Sequence, residues 1–374
     1  MRRAICFFLA LILIMGAACA ETTGATLGFR VLAELCDGTT NQAVSPVSLA
    51  YALAMAAAGA EGNTEAELLQ ALGIDDPAEI EKMNAPLIEA GVKLANAAFV
   101  KEALSVEEGY IEALNAHYGA EWFEMSDTVV EDINAWVKQN TDGMIDRILR
   151  GELEPDTVLV LLNAISMDAK WQSPFVPEQT EDAIFHAPEG DVDVPFMHQD
   201  LYVQYGEVNG AQILRLPYLD SGLSMLIALP KEGDVTKVLG ALCEQGLDYF
   251  EFEDELRYVD LYMPKVQITV ENQLTDTLKS LGIEAAFTPD ADFSGVSEDV
   301  PLKIGDVLQK VYLSIAEKGT KAAAITLLAA DAMGAMPQEK TEVRLDRPYV
   351  AVIAEEESGA VCFACVIANP DASA

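Results

Sequence analysis

The stretch Glu317-Lys318-Gly319-Thr320-Lys321-Ala322-Ala323-Ala324 constrains this chain more than any other, because two incompatible elements can be written over it. Alanine has the highest helix propensity, so the run from Ala322 to Ala332 reads locally as a helix. Against a helix stands the Gly319-Thr320 pair, which permits a backbone hinge. Small or unbranched residues at Thr320, Ala322, Ala324, Thr326, Leu328 and Ala330 would also share one face of a strand at period two. A segment that can be a loop, and can also slide into a tight sheet, points to a switch.

The rest of the chain is large enough to hold such a switch. At 374 residues with 51% hydrophobic content it can bury a sizeable core. The first twenty residues combine Arg2-Arg3, an apolar run from Ile5 to Met15 and the small-residue site Ala18-Cys19-Ala20. That pattern predicts a signal peptide over 1–20, cut before Glu21, and an exported domain over 21–374. A rival reading makes Cys19 the lipid-modified first residue of an anchored protein, although Gly16 stands where such sites usually have Leu.

Without Arg2 and Arg3, the 23 basic residues fall to 21 against 61 acids, a mature charge of −40. Such a surface repels nucleic acid, anionic membranes and heparin-like polyanions, and no Lys/Arg cluster interrupts it. The cysteines left after cleavage are Cys36, Cys243, Cys362 and Cys365. Cys362 and Cys365 have the spacing of a dithiol, but they lie in an apolar run that reads as a buried strand, where residues three apart face opposite ways. His117, His186 and His198 are scattered, so no metal site and no cofactor are expected.

Helices are predicted from Ser45-Pro46 through Ala60, over Thr64 to Leu72 with Gly73 as a stop, and around Ile80 to Leu94, Val106 to Tyr118 and Val129 to Gln139. Strands are predicted at Leu159 to Met167, Gln212 to Pro217, Leu223 to Leu229, Tyr258 to Pro264, Val311 to Glu317, Tyr349 to Ala354 and Val361 to Ile367. The class is α+β, without βαβ alternation or repeats.

Ser45-Pro46-x-Ser48, Gly62-x-Thr64, Ile133-Asn134-x-Trp136, Asn163-Ala164-Ile165, Trp171, Pro174-Phe175, Thr180, Phe185, Leu216-Pro217-Tyr218, Met263-Pro264-Lys265, Asp292-Phe293-Ser294-Gly295, Arg347-Pro348-Tyr349 and Asn369-Pro370 occur in one order from about Phe29 to Pro370. Each motif is weak alone, but together and in register they resemble the serpin family. The resemblance implies a single domain with a large central mixed sheet, smaller sheets, eight to nine helices and an exposed reactive-centre loop at about 317–341. It further implies a monomeric inhibitor that traps an extracellular serine protease as a covalent acyl-enzyme, and is not itself an enzyme.

By the same resemblance, Glu317, Gly319, Thr320, Ala322, Ala323 and Ala324 form the hinge of that loop. Ser45, Ser48 and Asn163 belong to a polar shutter that lets the sheet part. The family usually has a His eight residues before the hinge Glu, and here that position is Gln309. Trp171 resembles the aromatic at the top of the opening sheet, although an ordinary core tryptophan is an equal reading. Sixteen residues beyond Glu317 stands Met333, so the expected scissile bond is Met333-Gly334, with Ala332 and Met336 as alternatives. An unbranched apolar side chain there suits elastase-, chymotrypsin- or subtilisin-like pockets. A non-inhibitory binding or structural protein, cleaved only as a substrate, is the competing reading. A hydrolase is disfavoured, because no G-x-S-x-G elbow and no His near a candidate serine is visible. The signal and the lack of any Asn-x-Ser/Thr site fit a bacterial source.

Overall fold

The computed structural model describes residues 25–102, 104–153, 157–320 and 340–371. The signal segment, Ala322, Ala323, Ala324, Met333 and Gly334 lie outside the described residues. No helix among those described is long and apolar enough to cross a membrane.

The front of the chain runs α1 (Ala25–Leu35), β1 (Gln42–Val44), α2 (Pro46–Ala57), α3 (Gly62–Leu72), α4 (Glu79–Glu89), β2 (Lys93–Val100), α5 (Glu108–Tyr118), β3 (Glu121–Glu124) and α6 (Val129–Asn140). The start of α2 follows from Ser45, whose hydroxyl accepts from the Ser48 N–H, with Pro46 at the first helical position. Gly73 closes α3 in the left-handed conformation expected of a helix stop.

The helix predicted over Ile80 to Leu94 ends early, at Glu89. Gly91 turns the chain at φ +91°, and Lys93 opens β2 instead. Alanine propensity argues against a strand at Ala95, Ala97 and Ala98, but pairing decides the matter. β2 bonds parallel to β3 on one side and antiparallel to Leu159–Ser166 on the other, and such tertiary ladders override local preference.

The chain continues as β4 (Leu159–Ser166), β5 (Ala169–Lys170), β6 (Glu181–Ala187), β7 (Gly190–Val208), β8 (Ala211–Pro217), β9 (Leu223–Pro230), α7 (Val235–Gln245), β10 (Arg257–Pro264), β11 (Val266–Gln273), α8 (Thr275–Ser280), β12 (Leu308–Ala316), β13 (Gly319–Thr320), β14 (Thr341–Arg344), β15 (Tyr349–Glu355) and β16 (Val361–Ile367). A nine-stranded sheet takes the order β1-β16-β15-β9-β8-β7-β10-β14, with β6 on β7. It is antiparallel except where β14 joins β10 in parallel. β15 and β16 are buried on both faces, which is why they read as continuous apolar runs.

The second layer, which carries the candidate site, is built from a three-stranded group β3-β2-β4 and a four-stranded group β11-β12-β13-β5. β5 follows β4 along the chain, so the two groups meet through it. β13 is antiparallel to both β5 and β12, which makes β5 and β12 parallel to each other. Below β13, no ladder joins β4 to β12 among the described residues. The outer face is covered by α6, where Ile133, Trp136 and Val137 pack with Phe99, Leu162 and Ala164 and reach Tyr312 of β12.

Candidate functional site

The upper end of the opening between β4 and β12 is closed by the hinge. Gly319 pairs with Lys170 and Ala316, and Thr320 with Ala169 and Ile315, so these two residues already form a short third strand. Gly319 has φ +145°, and a Cβ there would lie 2.1 Å from the Ala169 carbonyl oxygen. Only glycine lets the chain enter so close to the neighbouring strand. Thr320 is 4% exposed, and its hydroxyl lies 2.7 Å from the Tyr218 hydroxyl.

Trp171 frames the entry. Its indole N–H donates to the Ala316 carbonyl at 2.9 Å, its backbone N–H donates to Lys318, and its ring stacks on Tyr218 at 4.5 Å. A core tryptophan needs only a partner for its N–H. Here both the backbone and the side chain bond to the segment that leads into the hinge.

Glu317 is fixed just before the glycine. Its carboxylate accepts from Lys265 Nζ at 3.1 Å and from the Thr180 hydroxyl at 3.2 Å. Burial alone would raise its pKa, but hydrogen bonds from its own backbone N–H, from Lys265 and from Thr180, with the Lys265 charge, hold it below the usual 4.5. A carboxyl depressed in the folded state stabilises the fold above its unfolded pKa and loses that effect as pH falls through the folded value. Glu317→Gln should therefore lower Tm at pH 7, by an amount equivalent to about 1–2 kcal/mol for a partly buried charge-assisted pair. In a thermal melt series the difference from wild type should close as pH falls below 4.5; a gap that persists in acid would refute the ionic role.

The gate residues lie lower. The Ser45 N–H donates to Gln309 Oε1, and Gln309 Nε2 donates to the Ser45 carbonyl, both at 3.0 Å. Gln309 thus ties β12 to the start of α2 through both ends of its amide, and Ser48 joins through Ser45. Nothing in that pair titrates, so the tie is insensitive to pH over the range in which an imidazole would change charge.

Asn163, expected in the same cluster, makes its hydrogen bond on its own side of the opening. Its amide donates to Asn96 Oδ1 at 2.7 Å, and Asn96 donates to the Tyr118 carbonyl. Asn163 Oδ1 is buried without a partner among the described residues. The reason is the opening itself, which separates β4 from β12 and leaves each bank to satisfy its polar groups alone. Gln309→Ala would strand the buried Ser45 N–H, a loss of about 1–3 kcal/mol. A matching fall in denaturation midpoint, with faster spontaneous loss of the native state at moderate temperature, is the expected result.

Beneath Thr320 the opening continues as a cleft lined by Ile165, Ser166, Met167, Val311, Leu313 and Phe363. At the other end of the loop, β14 is anchored by Lys340 to Asp200 at 2.6 Å and by Arg344 stacked 3.6 Å over Tyr262. His198, expected to be isolated, lies 2.7 Å from Asp260 on this same face, close to Asp200. Cys362 and Cys365 are buried free thiols, their pKa values raised mainly by that burial, that of Cys365 to about 12. They behave as small core residues.

Sequence reasoning noticed Thr180, Tyr218 and Lys265 as landmarks but gave them no role. Each acts on the hinge from more than fifty positions away, and only pairing across the chain could have shown it.

The family description "Serpin (serine protease inhibitor)" matches residues 22–370. A serpin-like protein of Thermococcus kodakarensis is 34% identical over 91% of this chain and 84% of its own length. Alpha-1-antitrypsin of Meriones unguiculatus is 32% identical over 91% of this chain and 87% of its own. Among solved structures, the native state of the thermophilic serpin tengpin superposes with a TM-score of 0.84 at 29% identity, covering 93% of both chains. The two named organisms are an archaeon and a mammal, which lends no support to a bacterial source.

Proposed function

This chain belongs to the serpin family, and we propose that it inhibits serine proteases by a trapping reaction in which its own loop becomes a strand of the opened sheet. In the proposed reaction the protease serine attacks the carbonyl of Met333. The Met333-Gly334 bond breaks, the Gly334 amine leaves, and Met333 stays esterified to the enzyme. The freed segment then enters between β4 and β12 before water can hydrolyse the ester.

The observation that carries this reading is the register of the hinge. Thr320 opposite Ala169 and Ile315, extended downward, gives every residue from Gly319 to Ala330 a partner on Leu159 to Lys170. Thr320, Ala322, Ala324, Thr326, Leu328 and Ala330 would then fall on the core side. Thr326 would come opposite both Asn163 and Gln309, bringing a hydroxyl to the orphaned Asn163 Oδ1. Insertion also converts a gap between parallel strands into two antiparallel ladders, the better pairing per residue. Met333 lies three positions past the end of that register, as a bond cut at the mouth of the loop requires.

An apolar Met333 favours elastase-, chymotrypsin- or subtilisin-like targets. Secretion through the signal over 1–20 would place the monomer among such enzymes, and lipid attachment at Cys19 is the alternative. Incubation with pancreatic elastase should give an SDS-stable complex and a released peptide beginning at Gly334. Complete loop cleavage without any covalent complex would instead favour a non-inhibitory serpin.

A further inference from the structure

Beside the hinge, between β7 and β8, lies a cavity of about 250 Å³ open to solvent, with Trp171, Tyr202, Leu216, Leu256, Arg215 and Glu356 in its wall. Its electrostatics are unusual for this protein. Acids outnumber bases 61 to 23, yet the Arg215 side chain makes no ion pair or hydrogen bond among the described residues. Its Nε is buried and unpartnered. A cation–π contact with Phe252, 5.0 Å from the ring centroid, is its compensation.

The position of Arg215 explains why it cannot simply escape. It sits mid-strand on β8, opposite Gln204 of β7 on one side and Leu226 of β9 on the other. A half-buried guanidinium with an orphaned donor is destabilising unless an anion satisfies it. The nearby carboxylate on the wall, Glu356, accepts instead from the Ser224 hydroxyl. Two large apolar side chains in the wall are left well exposed, Leu256 at 59% and Tyr202 at 51%.

We infer that this cavity is a binding site for a small organic monocarboxylate with an aromatic or branched apolar body. Its carboxylate pairs with Arg215, and its apolar part covers Leu256 and Tyr202 and packs beside Trp171. Arg215 is matched to such a group because the guanidinium fork accepts a carboxylate in the plane. Glu356 sets the charge limit, since a second negative group would meet it inside the same wall. Trp171 couples the site to the hinge: an occupied cavity supports the indole that holds Ala316. Slower loop insertion with ligand present is the consequence, and this last step rests on the inhibitory reading above.

Calorimetric titration of the full chain with 3-phenylpropanoate, its neutral amide and 2-phenylethylamine tests the binding itself. The acid should bind saturably at one site, the amide about 10- to 100-fold more weakly, as loss of one charge-assisted bond predicts, and the amine not at all. Arg215→Leu should reduce the acid to the affinity of the amide, and Leu256→Ser should weaken both alike. Equal affinity for acid and amide on the native protein, no saturation by about 10 mM, or unchanged acid binding in Arg215→Leu would each overturn the site. The ligand pair on unmodified protein decides the matter even where the arginine variant fails to fold. Rates of elastase complex formation with and without 3-phenylpropanoate test only the coupling, so a failure there leaves the binding result standing.

Discussion

Thr320→Arg is expected to leave the fold intact and turn the protein from an inhibitor into a substrate. Thr320 is the first core-facing residue of the entering strand, 4% exposed, with its hydroxyl against Tyr218. A guanidinium at that depth displaces the Thr320 contact with Tyr218, and burying a charge there is prohibitive unless it finds a partner. In the uncut protein the hinge can withdraw from the sheet top, so the body keeps its stability apart from about 1–2 kcal/mol for the lost hydrogen bond. After cleavage no such escape exists, insertion stalls, and the acyl-enzyme hydrolyses. The stoichiometry of inhibition against elastase should rise by at least about tenfold, since a stall of about 1.4 kcal/mol already shifts the partition by that factor. A stoichiometry equal to wild type would sink the insertion mechanism.

The second large effect needs no mutation. Cutting the loop should raise Tm steeply, because the segment then fills the gap between β4 and β12. Roughly a dozen new strand hydrogen bonds at about 0.5–1.5 kcal/mol each sum to the order of 10 kcal/mol, similar to the entire stability of a typical domain. At about 1–1.5 °C per kcal/mol, the value the per-residue unfolding entropy gives for a chain of this length, Tm should climb by roughly 10–15 °C. Differential scanning calorimetry before and after limited proteolysis measures this directly. A cleaved form that melts with the intact one would favour the non-inhibitory alternative. Cleavage that merely nicks a loose loop should lower stability or leave it unchanged.

The turn at Gly319 and the helix start at Ser45-Pro46 could be read from sequence because their requirements are local. Gly319 is demanded by one backbone geometry, and Ser45-Pro46 by the chemistry of a helix start. β15 and β16 were equally legible, being apolar on both faces. β2 was not, since Ala95, Ala97 and Ala98 prefer helix and only the ladders to β3 and β4 make them a strand. β7 escaped notice for a related reason: its nineteen residues pair with β6, β10 and β8 in turn, so no single alternation runs through it. The bond from Asn163 to Asn96 left no trace in the sequence, because it depends on β4 pairing with β2 and not with β12. The grip of Lys265 and Thr180 on Glu317 spans distant segments and left no periodic trace.

The run from Leu159 to Lys170 also fixes a length of travel. If the loop inserts as proposed, twelve residues of extended chain at about 3.3 Å each would make a stroke of about 40 Å, with the protease tethered to the moving end. Spread over that distance, about 10 kcal/mol of strand formation corresponds to a mean pull of roughly 15–20 pN. On the proposed mechanism the sheet would act as a single-stroke motor and not as a lock: cargo that yields below that tension would be deformed, and cargo that resists it would be released.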